Sequence, residues 1–190
     1  MKITSAQFIK GVVGTDAIFD NGIPQVAFIG RSNVGKSSTI NFLTHADGLA
    51  RISSFPGRTT EINVFLINNK VYLVDLPGYG FARANLEGRQ RILDLIRWYL
   101  LDSPYQQKKV VLIIDAEVGP TESDHEMLRL LEEKGKDIVI AANKIDKVRK
   151  SHLKQQIKKI EEAFVGHRVI PYSAKDKIGV RELTDVLLGS

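Results

Sequence analysis

A chain of 190 residues, 43% of them hydrophobic, is long enough for one well-buried core and short for two, so a single catalytic or binding domain is expected. The absence of cysteine excludes disulfides, thiolate metal sites and a cysteine nucleophile, while a net charge of +5 favours a polyanionic partner without naming one. The first seven residues hold no apolar stretch of signal-peptide length, and the longest apolar runs, such as 110–114, are only long enough for a buried strand, so a cytoplasmic protein making no use of the membrane is expected.

In chain order, residues 1–24 show no firm period and are read as an N-terminal extension packed on a domain spanning 25–190. Apolar, β-branched runs then predict strands over 25–29, 62–67, 71–74, 110–114, 138–142 and 169–172, several apolar on both faces. Helical periodicity falls between them, over 36–43, 87–101, 121–134, 151–164 and 180–188. Thr121 followed by Asp124 marks a helix start after Pro120, and Ser103-Pro104 marks a stop. The alternation predicts a three-layer α/β domain, a mostly parallel six-stranded sheet with helices on both faces. In such sheets ligands sit at the carboxyl ends of the strands, which directs attention to the loops after residues 29, 74, 142 and 172.

The first of these loops is Gly30-Arg31-Ser32-Asn33-Val34-Gly35-Lys36-Ser37-Ser38, which fits the phosphate-binding pattern GxxxxGK[ST] between a strand and a helix. Its glycines let backbone N–H groups face phosphates, Lys36 reaches the β and γ phosphates, and Ser37 supplies a magnesium ligand. After the third strand, Asp75-Leu76-Pro77-Gly78 offers a carboxylate for a magnesium-bound water and a Gly78 N–H for the γ-phosphate. Between the first helix and the second strand, 45–60 lacks periodicity and contains Gly57, Arg58, Thr59 and Thr60; a hydroxyl here completes magnesium coordination, Thr59 being assigned with Thr60 as the alternative.

Base choice is read farther on. Asn143-Lys144-Ile145-Asp146 offers a carboxylate that accepts from both N1–H and the 2-amino group of guanine, whereas adenine has no such donor pair. Ser173-Ala174-Lys175 follows the last strand, with the Ala174 N–H set to donate to guanine O6. In order, each at a strand's carboxyl end, these segments predict GTP and GDP as ligands and argue against a metabolic kinase using the same loop.

With GRSNVGKSS over 30–38, PGRT over 56–59, DLPGYGFA over 75–82 and the Asn143 and Ser173 strings in hand, the chain resembles the EngB family of bacterial GTPases over essentially its whole length. The resemblance implies a single G domain with a short N-terminal extension, GTP hydrolysis, and a part in assembling the large ribosomal subunit with links to cell division and septation. A monomeric state is expected with it.

Two features bear on those implications. Lys144, Lys147, Arg149, Lys150, Lys154, Lys158 and Lys159 form a basic run; Leu153, Ile157, Ile160 and Phe164 mark the buried face of its helix, leaving Lys150, Lys154 and Lys158 as an exposed stripe that is either a solvated face or, as the resemblance implies, a contact with rRNA phosphates. Arg83, Arg89 and Arg91 add charge beside Gly78. Tyr79 stands where Ras-like proteins carry a water-orienting Gln, so intrinsic hydrolysis is expected to be slow. Asn33 either fits the turn, a role Asn often fills, or is a ligand to a potassium ion that substitutes for that help, as in relatives with Asn at this loop position. The alternative is an RNA-binding regulator whose occupied GTP site turns over very slowly.

Overall fold

Alternation between two apolar faces organises the sheet of the computed structural model, which describes residues 2–46, 48–50, 61–80 and 86–189. The strands are β1 (Ala6–Val12), β2 (Gln25–Gly30), β3 (Ile62–Ile67), β4 (Val71–Asp75), β5 (Gln107–Asp115), β6 (Ile138–Asn143) and β7 (Arg168–Pro171). The helices are α1 (Lys36–Thr44), α2 (Leu86–Arg97), α3 (Glu122–Glu133), α4 (Lys150–Ala163) and α5 (Val180–Leu188). Along β2, Val26 and Phe28 point into one core and Ala27 and Ile29 into the other, so a period of two serves both faces and the strand reads as a continuous apolar run. Ile40, Leu43, Leu183 and Leu187 bring α1 and α5 onto the first face. On the second lie α2, α3 and α4, through Ile92, Ile96, Leu128, Leu131, Ile160 and Phe164.

The strand order is β1-β3-β4-β2-β5-β6-β7, which makes seven strands where six were expected. The added one, β1, runs antiparallel to β3 at the sheet edge. Its register shifts between Phe8 and Lys10, and this bulge breaks the alternation by which a strand is recognised. Only Val12 of this strand is fully buried. The β3–β4 pair is also antiparallel, and the β4–β2, β2–β5, β5–β6 and β6–β7 pairs are parallel.

Element ends follow local chemistry. Thr121 and Asp124 form a reciprocal capping box at the start of α3. Helix α2 passes into a π-helical turn over Trp98–Asp102 and stops at Ser103, whose N–H donates to Trp98 O at 2.7 Å. Parallel pairing puts the carboxyl ends of β2, β4, β5, β6 and β7 on one edge, the edge at which the phosphate, Asp75, Asn143 and Ser173 segments emerge. No helix among the described residues is long and apolar enough to cross a membrane.

Candidate nucleotide site

The phosphate loop leaves β2 at Gly30 and enters α1 at Lys36. Gly35 caps that helix in the left-handed region at φ 98°, and a Cβ there would lie 2.4 Å from Asn143 Nδ2, so both backbone conformation and space require glycine. Asn33 is also left-handed, at φ 66°, with an exposed side chain. Its carbonyl accepts from Lys144 Nζ at 2.6 Å. Val34 turns inward and packs in the α1 face of the core.

Lys36 is buried, its Nζ donating to Gly30 O at 3.2 Å and Arg31 O at 3.3 Å. Burial pushes its pKa down, against the pull of the Asp75 charge. Burial likewise lifts the Asp75 carboxyl above the ordinary carboxylate range, with Lys36 and the Ser37 hydroxyl opposing. Both groups are therefore held where their own charge is poorly solvated. Ser37 Oγ donates to Asp75 Oδ2 at 2.9 Å, while Asp75 Oδ1 is buried without a hydrogen-bond partner among the described residues. An orphaned carboxylate oxygen beside a hydroxyl is the donor set a hard divalent cation and its waters would satisfy, so these residues fit magnesium. Leu76 is buried behind them, and Gly78 lies against the phosphate loop.

The buried side chain of Asn143 joins three segments. Its Nδ2 donates to Val34 O at 2.8 Å, and its Oδ1 accepts from Lys144 N at 2.8 Å and Ala174 N at 3.2 Å. Lys144, left-handed at φ 67°, reaches past it to Asp115 Oδ2 at 2.6 Å as well as to Asn33 O. Asp146 Oδ1 accepts from Ser173 Oγ at 2.6 Å, which ties this carboxylate to the loop after β7. Lys175 is exposed beyond it.

The structure thus gathers 30–38, Asp75 to Gly78, Asn143 to Asp146 and Ser173 to Lys175 at one edge. Gly57, Arg58, Thr59, Thr60 and Arg83 lie outside the described residues. Arg31 contributes its backbone to the loop, but its Nε pairs with Asp124 Oδ2 at 3.2 Å, away from Lys36. Two residues escaped the sequence reading. Asp115 ends β5 at the same edge, a position that could have singled it out; Asp124 was read only as a helix cap.

Substituting Asn143 by Ala strands a buried carbonyl and two N–H groups, so the nucleotide-free protein is expected to lose about 2–4 kcal/mol of unfolding free energy in urea titration. A loss below about 0.5 kcal/mol would mean that the three segments hold together without it.

Comparison with known proteins adds an independent line. The family model described as 50S ribosome-binding GTPase matches residues 25–144, and that of the elongation factor Tu GTP binding domain matches residues 103–189. A Clostridium perfringens (strain 13 / Type A) protein, named "Probable GTP-binding protein EngB", is 40% identical over 98% of this chain and 96% of its own. A protein of the same name from Pelotomaculum thermopropionicum is also 40% identical, again over 98% and 96%. A crystal structure titled as a probable GTP-binding protein engB superposes with a TM-score of 0.73 at 28% identity, covering 86% of this chain and 96% of that one. With the phosphate loop, the Asn143 and Ser173 loops and Asp146 gathered on a mostly parallel sheet, these matches establish that the chain belongs to the EngB family of GTP-binding proteins and is a GTPase.

Proposed function

We propose that this GTPase is a magnesium-dependent switch that assists assembly of the large ribosomal subunit, acting as a cytoplasmic monomer and thereby supporting cell division and septation. The observation that carries the switch is the Ser37–Asp75 pair set beside Lys36 and Gly78, so that the groups assigned to the metal and to the γ-phosphate meet at one place. The ribosomal part rests on the family model's description and on the basic face of α4. The N-terminal extension, residues 1–24, is proposed to work as part of the same unit as the G domain of 25–190, consistent with β1 pairing on β3.

In this reading the amides of Asn33, Gly35, Lys36, Ser37 and Ser38 cradle the phosphates, with Gly30, Arg31, Ser32 and Val34 shaping the turn, the Ser32 and Val34 N–H groups donating to Tyr79 O and Arg31 O. Ser37, Thr59 and Asp75 would hold magnesium, Asp75 by way of a water; the ion would supply positive charge to the phosphate oxygens. Gly57, Arg58 and Thr60 line the same segment as Thr59, and Leu76 and Pro77 shape the approach to Gly78. Water attacks the γ-phosphorus in line and the bond to the β-phosphate bridging oxygen breaks, while Lys36 and the loop amides stabilise the charge that collects on the transferring group. Asp146 reads guanine, aided by Asn143, Lys144, Ser173, Ala174 and Lys175. Asp146→Asn exchanges the acceptor carboxylate for an amide suited to xanthine, so GTP affinity is expected to fall at least about tenfold and xanthosine triphosphate to bind in its place, as read by competition against a fluorescent nucleotide. Full GTP affinity in the variant would remove Asp146 as the base reader.

Hydrolysis is proposed to be slow unless helped, because Tyr79 has no amide to orient water. Asn33 is assigned to a potassium ion, its exposed side chain sitting on a backbone that Lys144 fixes. Turnover is then expected to be at least about tenfold faster in potassium chloride than in sodium chloride of equal ionic strength, with Asn33→Ala losing the difference. Equal rates in the two salts would leave an external activator as the source of rate.

Lys150, Lys154 and Lys158 stand exposed on α4, opposite the buried Ile160. Lys158 also lies 3.5 Å from Glu162, an exposed pair too weak to cancel the stripe. Reversing Lys154 and Lys158 to Glu is expected to weaken co-sedimentation with large-subunit particles about tenfold or more and to flatten its dependence on salt, leaving nucleotide affinity within about twofold. Undiminished binding across salt concentrations would make the stripe a solvated face.

A further inference from the structure

Asp124 sits at the third position of α3, fully buried. A carboxylate at a helix N-terminus is favourable on its own, and Asp124 Oδ2 already accepts from Thr121 N at 3.0 Å and Thr121 Oγ1 at 2.8 Å. Capping needs nothing more. Yet two further donors reach it from segments far along the chain, Tyr79 Oη to Oδ1 at 2.7 Å and Arg31 Nε to Oδ2 at 3.2 Å. Arg31 is the second residue of the phosphate loop and Tyr79 the residue after Gly78.

The same two residues are joined by their backbones. Arg31 and Tyr79 form a parallel bridge beyond the ends of β2 and β4, and Tyr79 O accepts from Ser32 N at 2.9 Å and Ser32 Oγ at 3.2 Å. Gly78 is thereby pressed onto the loop: a Cβ on it would lie 2.7 Å from Lys36 Nζ and 2.9 Å from Ser32 N. The aromatic ring of Tyr79 is buried in the core that holds α2 and α3, with its hydroxyl turned to Asp124. Tyr79 therefore presents neither ring nor hydroxyl to a reacting water; its contribution is to fix its own peptide.

We infer that Asp124 is a positioning residue for hydrolysis: through the Tyr79 hydroxyl and Arg31 it lets helix α3 set the distance between the Gly78 amide and Lys36. The inference rests on the proposed contact of Gly78 with the γ-phosphate. GDP has no γ-phosphate, so the network acts on GTP and on its hydrolysis and leaves GDP binding alone.

The full chain carrying Tyr79→Phe, which keeps the ring and removes only the hydroxyl, is the cleanest probe. Single-turnover GTP hydrolysis is expected to slow about tenfold, the size of one hydrogen bond to a charged acceptor, while affinity for fluorescent GDP stays within about twofold. Asp124→Asn is expected to slow it at least as much, and the double variant no further than Asp124→Asn alone, because the two act through one bond. Wild-type hydrolysis by Tyr79→Phe overturns the inference. So does a parallel fall in GTP and GDP affinity, which is what a merely structural role produces, and so does full additivity in the double variant. Gly78→Ala separates the two layers of the argument. If it hydrolyses GTP at the wild-type rate, the γ-phosphate role of Gly78 fails and the inference with it; if it is slow while Tyr79→Phe is unaffected, only the positioning by Asp124 fails.

Discussion

The side-chain amide of Asn143 is the connection on which the site's assembly depends. It donates to a residue 109 positions earlier and accepts from one 31 positions later, so three loops that share nothing in sequence share one buried group. The sheet makes this possible. With β6 paired in parallel to β5 on one side and β7 on the other, the loops after these strands must emerge together, and the last residue of β6 is placed among them. Inside a protein the partial charges of an amide are poorly solvated, so each of these bonds matters more than it would at the surface, and a missing one would leave an unsatisfied polar group. Asn143 thus turns a strand register into a fixed relation between the phosphate loop and the loops after β6 and β7.

Electrostatics at the other end of the site works in the opposite sense. Lys36 and Asp75 are both buried, and for each the loss of water outweighs the attraction of the other. A triphosphate would give Lys36 several acceptors, and a divalent cation would give the orphaned Asp75 oxygen a partner. The two charges are therefore kept in an environment that favours a ligand carrying both signs, and the cost appears as stability forgone by the nucleotide-free protein. Asn143 stabilises the scaffold while Lys36 and Asp75 draw against it.

Much of this was legible because its determinants are local. A strand buried on both faces, such as β2, must be apolar throughout, and a loop that wraps phosphates must carry glycine where φ is positive, as Gly35 does. What was not legible depends on neighbours far along the chain. Strand β1 contains an exposed Phe8 and Lys10 and a bulge, so its identity comes from pairing with β3 and not from its own pattern. Asp124 satisfies a capping rule completely, and nothing in the capping box signals that Tyr79 and Arg31 will also reach it. Asp115 needed the position of Lys144 to acquire a role. In each case the missing information is a tertiary contact that no short window of sequence contains.

The placement of the basic stripe constrains how a switch of this kind would work. Helix α4 starts just after the loop of Asp146, and that loop is anchored by Lys144 to Asp115 and by Lys147 to Glu117. Both nucleotide states would present the same base to this loop, so the stripe should occupy the same place in each. Any attraction of Lys150, Lys154 and Lys158 to phosphates would then be independent of nucleotide and would supply affinity and rate of encounter. Dependence on the γ-phosphate would have to enter elsewhere, through the segment proposed to carry Thr59 or where Gly78 and Tyr79 meet the phosphate loop and α2 follows shortly in sequence. A partner that distinguishes GTP from GDP would therefore need contacts beyond the stripe, since a ligand binding both states equally through the stripe alone would shift nothing.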